Sequence, residues 1–101
     1  MNNRIEIARE FAKAINSDYI TKIILFGSVA RGDDTEESDI DILIVSDYPM
    51  EIDDVIADEV AWVMHDKQEL ISAHVMSEEI FNKTKSFSFL TNVLREGVSI
   101  G

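Results

Sequence analysis

Apolar residues along this chain change their spacing several times, and each change predicts an element. Ile5, Ala8, Phe11, Ala12 and Ile15 recur at helical spacing, which predicts an amphipathic helix over Asn2 to Ser17. Lys22-Ile23-Ile24-Leu25-Phe26 is instead a continuous run of β-branched and aromatic residues, the pattern of a buried strand that ends at Gly27. Strand resumes over Asp39 to Val45, where a period of two sets Asp39 and Asp41 on one face and Ile40 and Ile42 on the other. Pro49 followed by Glu51, Asp53 and Asp54 suits a helix start, with proline in the first turn and acids near the positive end of the dipole. Ile52, Val55, Ile56, Val60 and Val63 would be its buried stripe. Glu69 to Met76 reads as a third strand, and Ser77 caps a short helix that begins with Glu78-Glu79-Ile80-Phe81. A last helix over Ser86 to Glu96 carries Phe87, Leu90, Val93 and Leu94 on one side and stops at Gly97.

Composition narrows what these elements can do. The chain has 101 residues, 46% of them hydrophobic, enough for a single domain over 1–101 with one core. Twenty acids against nine bases give a net charge of −11, and Asp33 to Asp41 is mostly acidic. A phosphate backbone would be repelled by such a chain, and Lys and Arg form no cluster, so nucleic acid is not the expected partner. Most of these acids are expected to form a solvated face. Without cysteine there are no disulfides and no thiolate zinc sites. No run approaches the ~18 apolar residues of a membrane span and no signal-peptide pattern opens the chain, so no membrane association and a cytoplasmic protein are expected. Repeats, low-complexity tracts and linkers are absent.

The chemistry concentrates between the first two strands. Gly27 lets backbone N–H groups approach an anion, Ser28 can cap a helical turn and offer its hydroxyl to a phosphate oxygen, and Gly32 suits a left-handed stop. Asp39 and Asp41, two apart on a strand, have Cα atoms roughly 6.6 Å apart and can lean onto one or two ions with Mg–O distances near ~2.1 Å. Bare, the two carboxylates would repel by about 3 kcal/mol at ~6 Å and an effective dielectric of about 20, so a divalent cation is their natural neutraliser. Mg²⁺ or Mn²⁺ is the expected ion. Arg31 either pairs with neighbouring acids or reaches a bound phosphate. Trp62 falls beside the stripe of its helix, where it packs on a neighbouring element or stacks on a nucleobase.

Gly27-Ser28, ten residues, then Asp39-Ile40-Asp41 resembles the signature of the minimal nucleotidyltransferases of the polymerase-β superfamily. Ala30, Arg31, Gly32, Ser38 and Ile40 also match the small prokaryotic form of that motif, and the resemblance covers nearly the whole chain. It implies an α/β (α+β) fold, a short mixed sheet of three to four strands with helices packed largely on one face. It implies that Gly27, Ser28, Arg31 and Ser38 serve the nucleotide, and that Asp39 and Asp41 are the catalytic and metal-binding pair. Superfamily members usually place a third carboxylate on the third strand. Here the best register sets Ser72 at that position, with His74 two residues on along the same face, while Glu69 is an acid nearby whose alternation points it to the other face. His74 is a base at neutral pH or a structural histidine, and His65, near a helix end, is a surface residue.

The function that the resemblance implies is Mg²⁺-dependent transfer of AMP from ATP to a protein hydroxyl. Chains of this size and signature are similar to the antitoxin half of HEPN/MNT toxin–antitoxin pairs, in which a tyrosine of the HEPN toxin is adenylylated. A rival reading is a catalytically weak or inactive nucleotide-binding module that neutralises its partner by occlusion, which the missing third acid favours. Nucleotidylation of a small molecule fits less well, because the domain that grips an acceptor in larger members is missing. A second copy or a partner protein would complete the site. The apolar C-terminal helix, with Phe89, Val98 and Ile100 adding to it, is either core or the surface for a partner or homodimer.

Overall fold

The computed structural model describes residues 3–101. Nine elements follow in order: α1 (Arg4–Ile15), β1 (Lys22–Phe26), α2 (Gly27–Arg31), β2 (Ile40–Val45), α3 (Pro49–Lys67), β3 (Ile71–Met76), α4 (Glu78–Lys83), α5 (Ser88–Glu96) and β4 (Val98–Ser99). The expected start of the first helix at Asn2 lies outside the described residues. Within them Asn3 is the cap, its side-chain oxygen accepting from the Glu6 N–H at 3.2 Å. Pro49 opens α3 as expected, and Gln68 ends it in the left-handed region, its N–H returning to Met64 O. Ser77 caps α4 through the Ile80 N–H at 3.1 Å.

The four strands form one mixed sheet in the order β3-β2-β1-β4. β2 runs antiparallel to β1, with Phe26 opposite Asp41, and parallel to β3, with Asp41 opposite Ser72. A parallel neighbour needs a long crossover, and α3 supplies it. The period of two divides the core between the faces. Ile40, Ile42 and Ile44, with Ile23 and Leu25, meet Phe11, Ile52 and Val63 under the long helices α1 and α3. Leu43, Val45 and Ile24 meet Phe81, Leu90 and Val93 under the short helices α4 and α5. The expected mixed sheet is therefore present, with most helix on one face.

Two stripes differ from the sequence reading, and a third divides between the core and surface alternatives left open there. On α1 the buried side includes Ile7 and a charged residue, Arg4, whereas Ile5 is exposed. On α3, Ile52, Ile56 and Val63 are buried but Val55 faces solvent, because only one flank of this long helix meets the sheet. On α5, which starts at Ser88, Leu90 and Val93 are core while Phe87, Phe89 and Leu94 remain exposed. Gly97 does end α5, but with φ −75° rather than in the left-handed region. A Cβ there would overlap Val93 O, so glycine lets the chain turn directly into β4, which pairs with the edge of β1. Among the described residues no helix is long and apolar enough to cross a membrane.

Candidate active site

β1 delivers Phe26 to the same level as Asp41, and the chain then turns at Gly27 into α2, a helix of 5 residues. Gly27 has φ +77°, and a Cβ on it would overlap the Asp41 carboxylate. Only glycine lets the turn and the acid share this space. Gly32 closes α2 in the left-handed region, its N–H donating to Ser28 O at 2.9 Å, and Asp33 N–H shares that carbonyl at 3.1 Å.

The acidic loop that follows is held from beneath. Arg4 is 5% exposed, and its guanidinium donates to Glu69 Oε2 at 2.5 Å, to Asp34 Oδ2 at 2.9 Å, to Thr35 O and to Glu36 O at 2.8 Å. Glu69 is thus committed to a buried ion pair on the α1 side of the sheet, the face that its alternation indicated, and is not beside Asp41. Sequence reasoning missed Arg4. The signal was a cation at the helical spacing of Ile7, Ala8 and Phe11, where a buried charge requires a buried partner. Ser38 closes the same loop, its hydroxyl accepting from the Thr35 N–H at 2.9 Å. Asp39 follows, exposed and one residue before β2 begins.

Asp41 is half-buried, and burial raises its carboxyl above the ordinary aspartate range. His74 opposes that rise, Asp39 adds to it, and Arg31 opposes it. Across the sheet, Ser72 and His74 share the face of Asp41, as the register requires. His74 Nε2 lies 4.0 Å from Asp41 Oδ1 and 3.3 Å from Ser72 Oγ. Its ring packs against Phe26 with centroids 5.5 Å apart and Phe89 at 6.2 Å, and the two phenyl rings meet edge to face at 5.5 Å. The sequence placed Phe26 in the strand and Phe89 on the apolar C-terminal helix but not together, because their convergence depends on how α5 docks. Arg31 takes the acid-paired alternative, donating to Asp33 at 3.2 Å and to Glu96 of α5 at 3.1 Å, hydrogen bonds that raise its pKa further. Trp62 does not stack at this site. It stands exposed on the α1–α3 side, its ring 5.9 Å from His65, which is a surface residue as expected.

Two carboxylates and a hydroxyl at the head of β2 and β3 are hard oxygen donors of the kind that Mg²⁺ or Mn²⁺ takes. Among the described residues no third acid, histidine or cysteine completes a cluster of three. That suits an ion bound by one or two carboxylates with the remaining positions left to water and substrate phosphates.

The nucleotidyltransferase domain family matches residues 5–97. Two proteins of Methanocaldococcus jannaschii, each named "putative protein adenylyltransferase", align with nearly the whole chain. One is 49% identical over 94% of this chain and 95% of its own length, the other 37% identical over 95% and 97%. Among solved structures, a toxin–antitoxin with AMP-PNP superposes with a TM-score of 0.62 at 16% identity, covering 100% of this chain and 73% of that one. A structure from Sulfolobus solfataricus described as a "putative nucleotidyltransferase" gives 0.58 at 20% identity, covering 98% and 86%. Signature, register and relatives agree: the chain belongs to the nucleotidyltransferase domain family and is a transferase.

Proposed function

We propose that this transferase moves AMP from ATP to a hydroxyl of a partner protein, a tyrosine of a HEPN-type toxin, and so acts as an antitoxin. The observation that carries the reading is the contact between Asp41 and Gly27, which joins a strand-borne carboxylate pair to a turn open to phosphate. The adenylyltransferase names of the relatives and the toxin–antitoxin complex among the structural neighbours support the acceptor class. A net charge of −11 suits a basic partner better than a nucleic acid.

In this reading the Gly27 and Ser28 turn receives the triphosphate, and Arg31 and Ser38 flank it. The acceptor oxygen attacks the α-phosphorus, the bond from that phosphorus to the α,β-bridging oxygen breaks, and pyrophosphate leaves. His74 Nε2, beside Asp41 and Ser72, is within reach to take the acceptor proton. The rings of Phe26, Phe89 and His74 line one side of the site. A Mg²⁺ or Mn²⁺ ion held by Asp39 and Asp41 would neutralise charge on the phosphates and the departing pyrophosphate.

Intact mass of the HEPN partner after incubation with the protein, ATP and Mg²⁺ tests this. A gain of one or more AMP units, lost in Asp39→Asn/Asp41→Asn, is expected. Ser72 opposite Asp41, in place of a third acid, favours the second reading, a module that neutralises by occlusion. Neutralisation that survives the double substitution, with no mass gain in the wild type, would select it.

A further inference from the structure

A cleft of about 310 Å³ opens between α2 and α5, with Gly27 and Arg31 on one wall and Phe89, Asn92, Arg95 and Glu96 on the other. Its volume is that of a small-ligand site. Two of the nine cationic residues of a chain of net charge −11 meet here. Glu96 spans them, with Oε2 at 3.1 Å from Arg31 Nη1 and Oε1 at 3.6 Å from Arg95 Nη2. Asn92 Oδ1 accepts from Arg95 Nη2 at 2.7 Å and orients it. A carboxylate bridging two guanidiniums stands where a tetrahedral phosphate group can offer each of them two oxygens and a larger negative charge.

Resting on the nucleotide reading above, we infer that α5 completes the polyphosphate site through this cleft, with Arg95 as a further phosphate-binding residue and Glu96 as the internal anion that the substrate displaces from Arg31 and Arg95. Gly27 lines both the cleft and the Asp41 contact, so a triphosphate with its α-phosphorus at the carboxylate pair extends its outer phosphates between the two arginines. Phe89, edge-on to Phe26, adds an apolar surface to the wall of the cleft. No residue of α5 belongs to the Gly-Ser/Asp-x-Asp signature. Arg95 would thus discriminate triphosphate from monophosphate, and Glu96 would set the affinity.

Isothermal titration with a non-hydrolysable ATP analogue, tripolyphosphate and AMP, each with Mg²⁺, tests the assignment on the wild type, Arg95→Ala and Glu96→Gln. Arg95 is exposed and Glu96 partly so, so the fold is expected to persist, and circular dichroism checks it. Arg95→Ala should weaken the analogue and tripolyphosphate about tenfold, and Glu96→Gln should tighten them about threefold or more. AMP affinity should stay within about twofold in both. Analogue binding that neither substitution changes overturns the cleft assignment and leaves the nucleotide reading standing. Equal weakening of AMP and the analogue also overturns it, by assigning the cleft to the nucleoside. A wild type that binds no nucleotide defeats both.

Discussion

Arg4 and Arg31 are each gripped by two acids, yet they sit in opposite kinds of environment. Arg4 lies under the acidic loop with Glu69, Asp34 and two carbonyls around it, closed from water. Arg31 lies at the mouth of the α2–α5 cleft, with Asp33 and Glu96 as solvent-accessible partners. A buried cation cannot lose its anion without leaving an uncompensated charge, whereas an exposed one exchanges partners with water and solutes at little cost. The back of the sheet therefore holds the site in place, and the front is free to bind.

Breaking the buried side should have the largest effect. Arg4→Met leaves Glu69 and Asp34 without their cation and should lower unfolding free energy by about 3–5 kcal/mol, measured by urea titration. Adding Glu69→Leu should restore part of that loss. Gly27→Ala tests where the two regions join. Its positive φ and the Asp41 carboxylate both oppose a Cβ, so a loss of about 2 kcal/mol is expected together with loss of AMP transfer.

Divalent metal sharpens the contrast from the front. Mg²⁺ at tenfold above its dissociation constant should stabilise the wild type by about 1.4 kcal/mol and the Asp39→Asn/Asp41→Asn protein not at all, read as thermal midpoints, while chelation abolishes transfer. Asp41→Asn in metal-free buffer should raise the midpoint by roughly a few degrees while removing activity. The sign follows from the raised carboxyl. The folded state holds that proton more tightly than the unfolded chain does, so stability falls as pH rises from the ordinary aspartate range through the raised value. The gap to the variant is then widest at neutral pH and closes in acid. Arg31→Ala should change the midpoint least, by under about 2 °C.

Much of the front was legible because it is local. Gly27, Ser28, Asp39 and Asp41 are fixed by a turn and by strand alternation, and the register that sets Ser72 opposite Asp41 follows from the same period. What escaped depends on contacts far apart in sequence. Arg4 and Glu69 are 65 residues apart, and a charge on an apolar stripe has no meaning until its partner is known. Phe26, Phe89 and Glu96 converge only because α5 folds back beside α2. Ile5 and Val55 were misassigned because helical spacing gives the width of a stripe but not which flank a short sheet covers.

The tie between Arg4 and the acidic loop also sets a timescale. Thr35 and Ser38 are surface residues whose amides are bonded within the loop, Thr35 N–H to Ser38 Oγ and Ser38 N–H to Thr35 O. Surface amides commonly exchange their hydrogens through cheap local openings. Here, opening the loop means pulling Asp34, Thr35 and Glu36 off a buried guanidinium. Their deuterium uptake is therefore tied to rupture of the back of the fold, and the segment leading into Asp39 persists for as long as the sheet beneath it does.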